Sequence, residues 1–238
     1  MISRTIIRLG MRSVFGRWRG VILLVLPIIL LGMAVLVRTL VGDDNTGAEN
    51  TLYGLGLVVI VPLIALLATS GLLAPEIDDG SISYLLAKPI SRHTIVASKL
   101  VVALGCVVVF GAVPMLIAGL IMRTSVPSFG VAFAVGSVIS GAAYCALFAL
   151  LSVLTRHAVV IGLIYLLIWE SLLGGLLDGI RWLSITQWSA AVVGEIADIS
   201  LVADLPLLYA LLATITAIVA AAWLTGNRLR SFNLTGDE

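Results

Sequence analysis

The stretch that decides the fold, Gly20–Val37, has the sequence GVILLVLPIILLGMAVLV and contains no charged residue. A helix needs about 20 mostly apolar residues, each rising about 1.5 Å, to cross a hydrocarbon core about 30 Å thick. Arg19 precedes this run and Arg38 follows it. A helix satisfies its own backbone hydrogen bonds in lipid, so the run predicts a transmembrane helix.

Five further apolar runs predict the same structure along the rest of the chain. Of the 238 residues, 61% are hydrophobic and 11% are charged, whereas a soluble domain carries about 25% charged residues. The sequence therefore predicts an all-α integral-membrane protein, with residues 1–238 forming a single transmembrane domain. The six predicted spans are 21–41, 52–74, 95–122, 129–154, 159–177 and 205–225.

The basic residues predict the orientation, because lysine and arginine collect in cytoplasmic loops. Eleven of the fourteen fall on one side: Arg4, Arg8, Arg12, Arg17, Arg19, Lys88, Arg92, Lys99, Arg156, Arg228 and Arg230. The opposite loops carry Asp43, Asp44, Glu49, Asp178, Glu195, Asp198 and Asp204, with Arg38, Arg123 and Arg181. We therefore expect a bacterial inner-membrane protein with both termini in the cytoplasm.

Three segments outside the spans are expected to be structured. Residues 1–19 place Arg4, Arg8 and Arg12 on one helical stripe, which is typical of an amphipathic helix in the cytoplasmic interface. Residues 76–92 form a cytoplasmic loop. Residues 178–204 form an extracellular segment longer than a simple turn, for which we expect short re-entrant or surface helices.

The sequence excludes several classes of function. A phosphate-binding P-loop needs Gly-x-x-x-x-Gly-Lys-Ser/Thr, but the only lysines are Lys88 and Lys99, and neither has that context. No His-Glu-x-x-His motif is present, and a net charge of +1 gives no basic excess for nucleic acid. We expect no catalytic residue, no metal site and no cofactor bound by this chain.

The segment after the second span carries the most specific pattern. It contains Glu76, Gly80-Ser81, Leu85-Leu86, Pro89-Ile90-Ser91-Arg92 and, where the third span begins, Lys99. This pattern resembles the signature loop of the type-2 ABC exporter permeases, whose ATPase is a separate subunit. The resemblance extends to the N-terminal interfacial helix, the six spans and the extracellular re-entrant element.

The resemblance implies that residues 76–92 couple the membrane subunit to separate ATP-binding-cassette subunits, which would hold ATP and Mg²⁺. A short helix from Ile77 to Lys88 would be moved by the ATPase, and the apolar side chains of Leu85 and Leu86 would fit a groove on that partner. Gly80-Ser81 permits a turn, Pro89 would stop the helix, and Ser91 could cap the third span. An ordinary solvated loop is the alternative.

A single acidic residue lies deep in a predicted span. Glu170 is near the middle of the fifth span, where an unpaired charge costs several kcal/mol. It either lies on a translocation path or dimer interface, with Gly174 one turn later allowing close helix approach, or it is a neutral carboxyl donating a hydrogen bond between helices. In the fourth span, Gly136, Ser137, Ser140 and Gly141 predict close packing within the subunit.

Three functions fit these features. The first is the permease subunit of an ATP-driven exporter, acting as a homodimer or with a similar chain. The second is the same assembly working as a mechanical transducer that docks a periplasmic partner on residues 178–204. The third is a stand-alone secondary carrier with Glu170 as its proton site; a single intramembrane acid and no internal repeat make this the weakest.

Overall fold

The computed structural model describes residues 19–42, 45–78, 92–155, 157–173, 178–199, 201 and 205–231. These residues form eight helices and no strand. The helices are α1 (Arg19–Val41), α2 (45–78), α3 (92–122), α4 (Pro127–Leu154), α5 (158–173), α6 (Asp178–Arg181), α7 (Ile185–Ala197) and α8 (Leu207–Ser231).

Three of these helices contain a π-helical segment, in which backbone hydrogen bonds join residues five apart instead of four. In α2, Thr51–Ile60 lies between the α-helical segments Asn45–Asn50 and Val61–Asp78. In α3, Val108–Ala112 lies between Arg92–Val107 and Val113–Met122. In α5, Leu166–Leu173 follows Ala158–Tyr165.

Five helices in the described parts of the chain are long and apolar enough to cross a membrane. These stretches are Gly20–Val41, Thr46–Gly71, Thr94–Met122, Pro127–Leu154 and Leu207–Arg228. They correspond to five of the six predicted spans. The predicted fifth span, 159–177, coincides with α5, whose apolar stretch Ala158–Leu172 is shorter, and residues 174–177 lie outside the described part.

Polar side chains within the apolar helices are satisfied locally. Seven buried hydroxyls donate to the carbonyl four residues earlier: Thr69, Ser98, Ser137, Ser140, Ser152, Thr214 and Thr225. Among the residues that the structure describes, no buried side-chain nitrogen or oxygen lacks a hydrogen-bond partner. This is the condition that an apolar solvent imposes on polar groups.

Helix α4 is the centre of the bundle, and α2, α3, α7 and α8 pack around it. Its small residues set these approaches, as predicted. A side chain at Gly136 would overlap Val193 of α7, and one at Gly141 would overlap Val107 of α3. The prediction that this stripe packs within the subunit is confirmed.

The loop between α2 and α3 begins later than predicted. Helix α2 continues to Asp78, so Glu76 lies in its last turn, and α3 starts at Arg92. Residues 79–91, which contain most of the predicted coupling helix, lie outside the described part. The predicted interfacial helix also lies outside it, except for Arg19.

The hairpin of α3 and α4 closes with backbone against backbone. A Cβ added at Gly119 would overlap the Cα of Gly130, whereas one added at Gly105, on the same helix, would meet nothing within 4 Å. We expect Gly119→Ala to lower the free energy of unfolding by about 1–3 kcal/mol through overpacking. The measurement is thermal unfolding of the purified protein in detergent. Gly105→Ala is the matched control and should unfold at or above the wild-type temperature; equal unfolding temperatures for the two variants would contradict the close approach.

Candidate functional site: the polar cluster where α7 begins

The start of α7 is the most polar buried place in the described structure. Ser184 is the N-cap, with extended backbone, and its hydroxyl accepts the N–H of Gln187 at 3.3 Å. The first residues of α7, Ile185 to Val193, are buried except for Ala191. Serine is a preferred N-cap because its oxygen satisfies one of the N–H groups that have no partner within the helix.

Glu170 supplies the acceptors for the remaining donors. Its Oε1 accepts the N–H of Ile185 at 3.1 Å, and its Oε2 accepts the N–H of Thr186 at 3.4 Å. The Ser184 hydroxyl donates to Oε2 at 2.5 Å. A carboxylate in this position is also favoured by the positive end of the helix dipole.

A fourth donor completes the shell around this carboxylate. The Tyr165 hydroxyl donates to Oε1 at 3.1 Å, so each Glu170 oxygen accepts two hydrogen bonds. The side chain is only 5% exposed. Together the four groups hold the Glu170 carboxyl in one orientation against the start of α7.

Further hydrogen bonds tie the same turn to the neighbouring helices. Tyr144 of α4 and Thr186 share a bond of 2.7 Å between their hydroxyls. The Gln187 side chain donates to the hydroxyl of Tyr53, on α2, at 3.0 Å. We call these residues the α7 cluster: Tyr53, Tyr144, Tyr165, Glu170, Ser184, Thr186 and Gln187.

The segment just before α7 is anchored in the same way to α8. The carbonyl of Trp182 accepts the indole N–H of Trp188 and the hydroxyl of Tyr209, both at 2.8 Å. The rings of Trp182 and Tyr209 also meet edge to face, with centroids 4.9 Å apart. The beginning of α7 is therefore hydrogen-bonded, directly or through Trp182, to four different helices.

The α7 cluster holds α7 in place and does not present a reactive group. Both Glu170 oxygens are occupied by donors, so the carboxylate is not placed to take a proton from a substrate. Within the described residues, no group of three or more His, Cys, Asp or Glu could hold a metal ion. The arrangement fixes the position and direction of α7 relative to α2, α4 and α5.

A second polar group lies where α1, α3 and the start of α2 meet. Arg38 donates to the carbonyl of Met122, the last residue of α3, at 3.1 Å. Arg123 approaches Glu49 of α2 at 3.9 Å and stands over the ring of Phe129, 4.8 Å from its centroid. Two of the three basic residues that were assigned to the extracellular side thus lie together at one end of the bundle.

The sequence of the chain matches a known family of membrane proteins. A family model described as ABC-2 family transporter protein matches residues 6–228. The chain belongs to the ABC-2 transporter family.

Membership confirms the resemblance found in the sequence and places the chain among multi-pass membrane subunits of ABC transporters, which are not themselves catalytic. Members of the ABC-2 family normally work with ATP-binding-cassette ATPases. No curated protein matches this chain with significance.

The described structure contains only part of the predicted site. Arg4, Arg8, Arg12, Gly80, Ser81, Leu85, Leu86, Pro89, Ser91 and Gly174 lie outside it. Glu76 and Arg92 lie at the facing ends of α2 and α3, and Lys99 is buried on α3. The coupling assignment therefore stays a prediction.

Glu170 is placed inside the subunit, against α7. Its predicted place on a translocation path or dimer interface stays a prediction, as does the alternative of a neutral carboxyl donating between helices; the observed hydrogen bonds join Glu170, on α5, to the first turn of α7. The other members of the α7 cluster were not predicted from the sequence. One signal was available, because Ser184-Ile185-Thr186-Gln187 has the Ser-x-x-Gln pattern of a capping box.

Removing the Glu170 carboxylate should destabilise the protein. Glu170→Ala leaves two backbone N–H groups and two hydroxyls without their acceptor in a buried place, at a cost on the order of 3 kcal/mol. Thermal unfolding in detergent measures the change. Glu195→Ala is the control, because Glu195 is an exposed acid near the other end of α7 and its loss changes the charge equally. Equal unfolding temperatures for the two variants would contradict the role of Glu170.

Proposed function

We propose that this chain is the transmembrane permease subunit of an ATP-driven exporter, powered by separate ATPase subunits. The observation that carries the proposal is the ABC-2 family match over residues 6–228. The sequence supports the division of labour, since it contains no P-loop. ATP and Mg²⁺ would be bound by the partner, and no cofactor by this chain.

The proposed orientation puts both termini in the cytoplasm of a bacterial inner membrane. Helix α5, continued through residues 174–177, would be the fifth of six spans, and α7 would be a re-entrant helix on the outer side. The clustering of Arg38, Arg123 and Glu49 at one end of the bundle supports placing these residues on one side of the membrane. The positive-inside rule makes that side the outer one, because most basic residues fall on the other.

The proposed assembly is a dimer, either of two copies or of this chain with a similar permease, with the path between the two subunits. Two ATPases would dock on the coupling loop 76–92 and the interfacial helix 1–19. Glu76 and Arg92 stand at the two ends of that loop, on the last turn of α2 and the first turn of α3. Closure of the ATPases would therefore act on both helices at once.

The α7 cluster would form the outer end of the closed path. A re-entrant helix held by α2, α4, α5 and α8 blocks outward passage until those helices move. Glu170 then acts on the path by positioning α7 instead of by contacting the cargo. An apolar path between the subunits would favour an amphipathic cargo.

A mechanical transducer is the second candidate. The far end of α7 carries Glu195 and Asp198, both exposed, and could dock a basic surface of a periplasmic partner. Transport into inverted membrane vesicles separates the candidates, because a transducer moves no cargo and would instead co-purify with its partner.

Cysteine labelling tests the orientation. Thr124, between α3 and α4, and His157, before α5, are exposed, while the native Cys106 and Cys145 are buried. In intact cells a membrane-impermeant maleimide should label Thr124→Cys and leave His157→Cys unlabelled until the membrane is permeabilised. The unmodified protein is the control and should stay unlabelled. The reverse pattern would place the coupling loop outside the cell and exclude the proposal.

Substitutions at the coupling loop test the energy source. In proteoliposomes containing the chain and the ATP-binding-cassette subunit that co-purifies with it, we expect Glu76→Ala and Arg92→Ala to reduce ATP turnover to the rate of the isolated ATPase. Both variants should remain in the membrane at wild-type amounts. Thr124→Ala, at the opposite end of α3, is the control. Wild-type turnover in both coupling variants would exclude this loop as the site of contact.

A further inference from the structure

The π-helical segment Leu166–Leu173 contains the residue that holds α7. Glu170 lies in the middle of the segment, and the Ser171 hydroxyl reaches back five residues to the carbonyl of Leu166 at 3.2 Å. π-helical turns are rare and are frequently found at functional sites. The facing segment of α2, Thr51–Ile60, is also π-helical and carries Tyr53, another member of the α7 cluster.

The direction of Glu170 depends on the hydrogen-bond register of this segment. A π-helical turn contains about one residue more than an α-helical turn, which has about 3.6 residues. If one π-helical turn became α-helical, the residues beyond it would rotate about the helix axis by roughly 90°. Glu170 is buried, whereas its neighbours Ile168, Ser171 and Leu172 are exposed. A quarter turn would therefore carry the carboxylate away from α7.

Such a rotation would break four hydrogen bonds together. The N–H groups of Ile185 and Thr186 and the hydroxyls of Ser184 and Tyr165 all share Glu170 as acceptor. A π turn and an α turn differ by a whole residue in their hydrogen-bond pattern, five residues against four, so the two registers would be discrete states, as a gate requires.

We propose that Leu166–Leu173 is a two-state switch: its π register holds Glu170 on the first turn of α7, and its α register releases that turn. The proposal rests on the proposed function, because the work for the change comes from the ATPase subunits. It adds a named element that opens the outer end of the path.

Two single-residue deletions of similar side chains test the switch. Removing Ile168, which lies between Tyr165 and Glu170, lets the segment become α-helical with Glu170 four residues after Tyr165. The Glu170 side chain then keeps its orientation relative to Tyr165. Removing Leu172, which follows Glu170, makes the segment α-helical with Glu170 turned by roughly a quarter of a turn. Both residues are apolar and about half exposed, so the deletions are otherwise matched.

The readout is hydrogen exchange of the backbone amides of residues 185–187, measured by mass spectrometry on the full chain in lipid nanodiscs. We expect wild-type protection in the Ile168 deletion and exchange faster by on the order of tenfold in the Leu172 deletion, because the amides lose the Glu170 carboxyl as their acceptor. Equal exchange in the two deletions would overturn the switch.

A measurement on the unaltered protein covers the case in which a deletion fails to fold. In the complex with its ATPase, a non-hydrolysable ATP analogue should speed exchange at residues 166–173 and 185–187. A nucleotide response at the ends of α2 and α3 without one at these residues would overturn the switch and leave the proposed function standing. No nucleotide response anywhere in the chain would exclude the proposed function itself.

Discussion

The position of α7 depends on hydrogen bonds between the Glu170 carboxyl and the first backbone N–H groups of that helix. The first N–H groups of a helix have no partner within that helix, and a carboxylate buried among apolar helices has no water to solvate it. The contact satisfies the N–H groups and the carboxyl together, because the Glu170 oxygens accept hydrogen bonds from the N–H groups of Ile185 and Thr186. Either group would be destabilised in this buried place without the other. The position of α7 therefore depends on α5, and the buried carboxyl group of α5 depends on α7.

The apolar solvent also explains how much of the fold could be predicted. Runs such as Gly20–Val37 have one stable structure in lipid, so five membrane-length helices follow from composition and length alone. Helix ends are less determined: α2 continues to Asp78 because nothing in Ala74-Pro75-Glu76 forces a helix to stop, proline being a disruption mainly of the turn before it. The small residues of the fourth span predicted close helix packing. The residues that Gly136 and Gly141 contact depend on the tertiary structure and could not be predicted.

The α7 cluster shows a different limit of sequence analysis. Glu170 was identifiable because a lone acid in an apolar run is conspicuous, and its need for partners followed from electrostatics. Its partners were not identifiable, since Tyr144, Ser184 and Tyr53 are ordinary residues in sequence. Only the capping pattern at Ser184 pointed to a helix start, and nothing local connects that start to a carboxylate fourteen residues earlier.

Helix α2 joins the two ends of the proposed machine. It runs without a break from Asn45 to Asp78, so Glu76, beside the coupling loop, and Tyr53, in the α7 cluster, lie on one element. Their 23-residue separation corresponds to roughly 35 Å along a helix. A helix is stiff along its axis, so in the proposed exporter a displacement of Glu76 would be transmitted to the π-helical segment Thr51–Ile60. That segment packs against Leu166–Leu173, so the displacement would reach the turn that holds Glu170 against α7.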